Sequence, residues 1–335
     1  MGSVLLTSAM ITPVLAQKTD TLHLRNGDRI VGEIKSLTRA LLSYSTDNMQ
    51  TVSVEWDAVA SLVSRTSFEV ELQSGVKHYG RLTTAPAGYL VVTGPVVVDT
   101  LPLGLVVHIL QMRRSLWARM DGYVDLGFTY QLANHTLQLT FGSEATYRGP
   151  AMSVTIGGSY FTQSQDSVES TDRSSFTLSE KFFVGTRWNV GSGQAFERNE
   201  ELQLDSRFKF GVGAERFMVQ NDALEFTIGG GAVLLREQYA GQEDESVTWE
   251  GQVSFDFDAF RYNQPKLDLS TSLSIYPGIT EWGRVRVDFD GRVSYELVKD
   301  FYLTVSVFER YDSRPPSETA ARSDFGTTLS ISWSF

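Results

Sequence analysis

The residues best able to do chemistry in this sequence are charged ones that recur at every second position. In residues 283–297, Arg284, Arg286, Asp288, Asp290, Arg292 and Glu296 share one parity, while Val285, Val287, Phe289, Val293, Tyr295 and Leu297 share the other. In residues 247–260, Glu250, Asp256 and Asp258 alternate with Trp249, Val253, Phe255 and Phe257. Arg207, Lys209 and Glu215 form a third set in 206–219. Side chains two apart lie on one face of a β-strand, so these charges define polar faces backed by apolar ones. Mixed signs on neighbouring strands can pair and fill an interior, or can line a polar passage and set its ion preference.

Other chemistry is sparse. The four histidines, His23, His78, His108 and His135, lack metal-ligand spacing. The absence of cysteine excludes disulfides and thiolate ligands. His135 stands beside Asn134 without a nucleophile motif, so no catalytic residue is singled out. Nothing in these residues points to a reaction, a metal or a cofactor. A formal charge of -11 argues against a nucleic-acid partner, which would need a basic stripe.

The elements that must carry the charged faces are twelve alternating segments: 120–131, 135–148, 151–162, 174–185, 187–198, 206–219, 223–237, 247–260, 266–276, 283–297, 301–311 and 323–335. Each is near the roughly 9–11 residues with which a tilted strand crosses a bilayer. The apolar parity carries almost no charge, and Trp117, Tyr130, Tyr147, Tyr160, Trp188, Trp282, Tyr311 and Trp333 gather toward segment ends, as an interfacial girdle would. A soluble sheet could also segregate its faces. The connections add a discriminating signal: brief ones, such as Arg148-Gly149-Pro150, alternate with long polar ones, such as "EQYAGQEDES" and "DSRPPSETAAR". Short turns at one end and long loops at the other suit an outer-membrane barrel. The first connection, 132–134, and "PGITEWG" depart from that phase.

These signals predict an all-β chain: a twelve-stranded antiparallel transmembrane outer-membrane β-barrel over 117–335, closed because an even strand count leaves no edge in lipid. In its last long loop, Asp312, Arg314, Pro315 and Pro316 either fold inward to cap the mouth or form a stiff exposed loop. On this parity, Val287→Arg should damage assembly and Arg286→Ala should not.

Ahead of the segments, residues 20–112 hold an internal repeat. "LHLRNGDRIVGEI" (Leu22–Ile34) matches "VELQSGVKHYGRL" (Val70–Leu82), and "VEWDAVASL" (Val54–Leu62) resembles "LPLGLVVHI" (Leu101–Ile109). Asn26-Gly27 and Ser74-Gly75 are hairpin signals. Two such units can bury faces that neither buries alone, which predicts a duplicated small β-barrel domain similar to SH3-like or Sm-like barrels. Residues 1–16 read as the apolar core and cleavage site of an export signal, without its basic start.

The segments "AFERNEELQLDSRFKFGVGAE" (Ala195–Glu215), "ERYDSRPP" (Glu309–Pro316) and the terminal "TTLSISWSF" resemble the YdiY-like, salt-induced outer-membrane protein family, a domain family of unknown function. That resemblance implies a barrel and an outer-membrane location, not a reaction. The alternation of Leu329, Ile331 and Trp333 up to a final Phe335 also resembles the signal read by barrel-assembly machinery. The expected partners are outer-membrane lipid, that machinery, and a periplasmic protein or the cell wall for residues 20–112. The expected function is envelope-structural or a narrow passive pore for small polar solutes or ions. The alternatives are a scaffold working through its periplasmic module and, further off, a barrel hydrolase.

Overall fold

A computed structural model of the chain describes residues 18–112, 119–132, 135–165, 168–200, 204–241, 245–314 and 322–333. The export signal expected at 1–16 lies outside them, as do Pro315, Pro316 and Phe335.

The first nine strands are β1 (Asp20–Leu24), β2 (Arg29–Thr38), β3 (Leu41–Ser45), β4 (Thr51–Glu55), β5 (Val59–Leu72), β6 (Lys77–Thr83), β7 (Tyr89–Thr93), β8 (Val98–Pro102) and β9 (Val106–Gln111). The sequence repeat is a structural repeat. Each unit has a hairpin turning on a left-handed glycine (Gly27, φ 94°; Gly75, φ 81°), where only glycine is unstrained. Each ends in a three-residue 3-10 turn, Trp56–Ala58 or Leu103–Leu105, before its last strand. The long strand β5 serves both units. Its first half pairs with β1 through Leu22↔Leu62, and its second half pairs with β6 and β9 through Val70↔His78 and Val70↔Ile109. One core joins the halves, with Leu22, Ile34, Leu62, Phe68, Leu82 and Ile109 wholly buried.

The other twelve strands are β10 (Met120–Gln131), β11 (Thr136–Arg148), β12 (Met152–Gln165), β13 (Val168–Val184), β14 (Trp188–Asn199), β15 (Leu204–Gln220), β16 (Leu224–Tyr239), β17 (Ser246–Arg261), β18 (Leu267–Pro277), β19 (Val285–Val298), β20 (Phe301–Asp312) and β21 (Ser323–Trp333). They form one antiparallel meander in chain order. The brief connections fall where the sequence places them, but several long polar ones are mostly strand: β12 runs to Gln165 and β13 begins at Val168. Main-chain pairing needs no apolar side chain, so the ladder continues where the apolar alternation stops.

The sheet curls so that one face lines a lumen. One cavity of about 660 Å³ is lined from Arg148 on β11 to Tyr276 on β18, and a second of about 500 Å³ from Asp256 on β17 to Thr328 on β21. The distribution of burial is the reverse of the first nine strands. Apolar side chains of the convex face are open, with Phe176, Val212 and Leu329 exposing 48%, 46% and 66% of their surface. On the lumen face Glu250 exposes 1%. Two expectations need correction. Glu180 lies on the convex face, where its carboxylate accepts bonds from Ser192 Oγ (2.5 Å) and Gln194 Nε2 (3.2 Å); the donors offset the cost of placing a charge there. And among the described residues no ladder joins β10 to β21. Alternation dictates which face a residue takes, whereas closure depends on strand tilt and shear.

Candidate functional site

The predicted charges do share one face. Cross-strand partners project to the same side, and the rows from Thr155 through Ser179, Gly193 and Gly211 line the larger cavity. Six glycines, Gly191, Gly193, Gly211, Gly213, Gly229 and Gly231, face inward on β14, β15 and β16, and all but Gly231 line this cavity and leave its floor bare. At Gly191 and Gly231 a Cβ would come within 2.2 and 2.3 Å of a neighbouring carbonyl oxygen, so the tight coil of the wall requires glycine there. At Gly193 a Cβ would meet nothing within 4 Å, so that glycine keeps space open.

The charges fall into two tiers. The outer tier lies toward the β12–β13, β14–β15 and β18–β19 connections. There Arg286 binds Glu250 through Nε (2.9 Å) and Nη2 (2.5 Å), and Arg207 joins Glu237 (2.7 Å) to Glu197 (3.0 Å). Lys209 stands among Arg207, Arg286, Asp288 and Glu250. Arg310 makes a fork to Asp290 at 2.9 and 2.8 Å, with Asp288 at 4.0 Å. Arg284 precedes β19, yet it clamps Asp312 (3.1 and 2.6 Å) and Glu281 (3.0 Å). Asp312 also accepts the Arg314 N–H, and Arg314 reaches the Trp282 carbonyl at 3.1 Å. The start of the last loop is therefore fastened to the β18–β19 connection.

The inner tier lies toward the short turns. Glu215 accepts from Lys181 (2.5 Å) and Asn189 (2.9 Å), and Lys181 also attracts Asp256 on β17. Arg292 lines the second cavity with Asp256 and Asp258. Glu296 belongs to the turn instead: its carboxylate accepts the Lys266 and Asp300 N–H groups at 3.0 and 2.9 Å and so holds the starts of β18 and β20 on either side of β19. Leu329, Ile331 and Trp333 form an exposed convex stripe on β21.

The same end carries the N-terminal module. Asn263 donates to Asp57 (2.7 Å), Arg187 donates to the Gln73 carbonyl (2.7 Å), and Lys77 and Arg148 lie over the Phe183 ring at 4.9 and 4.3 Å. His108 sits between Glu71 (3.5 Å) and Glu225 (3.7 Å), beside Gln220. Burial lowers the imidazole pKa, but the hydrogen bonds and charges of the two carboxylates outweigh it and hold the group up to about 9. Arg39, at the β2–β3 turn, reaches Asp268 (3.2 Å) and Asp258 (3.6 Å) while its guanidinium lies 5.0 Å over the Phe260 ring. Sequence reasoning missed both contacts. One clue was available: Phe260 shares the parity of Asp256 and Asp258 and so breaks the charged face.

A curled twelve-stranded antiparallel wall with most of its charges inside, most of its apolar residues outside and a small β-module across one end is the class that these features define. The chain belongs to the family described as a protein of unknown function, DUF481, whose model matches residues 124–335, in keeping with the YdiY-like resemblance. No curated protein matches the sequence.

Proposed function

We propose that this protein is an outer-membrane β-barrel whose lumen is a narrow passive path for small polar solutes or ions, with residues 20–112 in the periplasm. The observation that carries this reading is the reversal of burial: an open apolar girdle runs along twelve strands while charges line the interior. A water-soluble monomer rarely leaves so large a contiguous apolar surface open, and in a bilayer that surface is solvated by lipid tails. An interior filled solely by ion pairs would leave little room, whereas two cavities remain beside the pairs.

The test is conductance of the purified full-length chain in planar bilayers. Discrete conductance steps support the path. Stable insertion with no conductance in any salt would leave an envelope-structural role.

A further inference from the structure

The two tiers of lumen charge differ in balance. In the outer tier carboxylates meet guanidinium groups, as Glu250 meets Arg286, Asp312 meets Arg284 and Asp290 meets Arg310. In the inner tier the acids predominate. Glu215, Asp256, Asp258 and Asp268 are joined by Asp121 and Glu144, whose strands place them on the Thr146 face, and Thr146 bonds Thr155 on the cavity wall. The barrel bases of that tier that line the two cavities are Arg148, Lys181 and Arg292, with Arg119 and Lys266 near the rim.

The missing counter-charge comes from the module. Arg39 and Ala40 form a two-residue turn in which both are left-handed, at φ 48° and 54°. That turn ordinarily uses Asn-Gly or Gly-Gly, and non-glycine residues persist in such a conformation where the surroundings over-determine it. Here the turn aims a guanidinium at Asp258, Asp268 and the buried ring of Phe260. Arg39 also lines the 500 Å³ cavity, so its side chain stands in the inner exit of that chamber.

Resting on the passage reading above, we propose that Arg39 is a tethered counter-ion that closes the inner exit of the lumen, and that its release admits small cations in preference to anions. The docked module then blocks passage in two ways. Its bulk covers part of the rim, and its guanidinium neutralises the wall that would otherwise attract cations. Carboxylate-lined constrictions select cations, so removing the arginine unmasks that selectivity.

The experiment uses the full-length chain in planar bilayers under a tenfold KCl gradient, reading conductance and reversal potential. Arg39→Gln removes the charge. Asp57→Cys with Asn263→Cys, in a chain that has no other cysteine, allows a bismaleimide to hold the module docked. The expected result is low conductance for the parent and for the cross-linked pair. Arg39→Gln should conduct several-fold more, with a reversal potential displaced toward that of K⁺. Equal conductance in Arg39→Gln and the parent overturns the proposal, as does a gain without cation preference. If a properly inserted protein conducts in no variant, the passage reading itself fails, and the latch with it.

Discussion

Arg286 on β19 grips Glu250 on β17 across the intervening strand, passing 5.1 Å from the Tyr276 ring on β18. Glu250 is almost wholly enclosed, so the pair behaves as a buried one. Removing one partner of such a pair strands a charge and costs about 3–5 kcal/mol. Arg286→Ala is therefore expected to weaken the barrel, contrary to the expectation drawn from parity alone. Arg286→Met combined with Glu250→Gln should restore much of the loss. Heat-dependent unfolding followed by gel mobility of the single and double variants checks this; equal loss in both would show that the pair contributes nothing specific.

The convex face makes a second prediction. Val305 projects outward near the middle of β20, paired with Val293 and Leu329. An arginine at mid-depth of the lipid face costs ~2–4 kcal/mol, so Val305→Arg should reduce folding into vesicles. Ser306→Arg, one residue along and facing the second cavity, should fold at nearly parental yield. The reverse order would invert the assignment of faces.

Gly193 predicts a separation of folding from passage. Its missing side chain leaves open space, so Gly193→Leu should assemble normally but lower conductance. Gly191→Leu, which meets a carbonyl oxygen at 2.2 Å from its Cβ onward, should fail to assemble. Band-shift and conductance assays on the same samples distinguish the two effects.

Docking of the module should depend on pH. His108 is held up to about 9 in the folded protein, against 6.5 for the free group. Its folded value is the higher, so its contribution is complete below about 6.5 and fades as pH rises through about 9. The difference corresponds to at most about 3 kcal/mol. Glu71 faces it from β5, and Glu225 and Gln220 from the barrel, while Lys77 lies 3.8 Å from Glu71 and Arg148 nearby. Limited proteolysis of the module should thus accelerate between pH 7 and 10, and His108→Gln should remove most of that dependence.

These contacts divide sharply by how far the sequence can reveal them. Which side chains share the lumen was readable because strand alternation is local: Arg286 and Asp288 need only be two residues apart. Which charge meets which was not. Arg286 finds Glu250 two strands away because register and shear place them together, and neither quantity is written in one strand. Arg39 meets Asp268 across 229 residues, with only the turn's lack of glycine and the misplaced Phe260 as local hints. The repeat in residues 20–112 was legible from matched hairpins, yet nothing in it announced that its second unit would present Lys77 and His108 to the barrel rim. Glu296 carried the parity of a lumen charge, but a turn followed at once and claimed its carboxylate.

Strand β5 makes the two halves of the module mechanically one object. Because a single fourteen-residue strand is the closing edge of the first unit and the opening edge of the second, neither half can peel away without dragging its twin. Arg39 is displayed by one unit, while His108 and Gln73 are displayed by the other. A pull on either anchor is therefore transmitted along β5 to the neighbouring turns of the barrel mouth, and the module should leave the rim as a rigid cap rather than finger by finger.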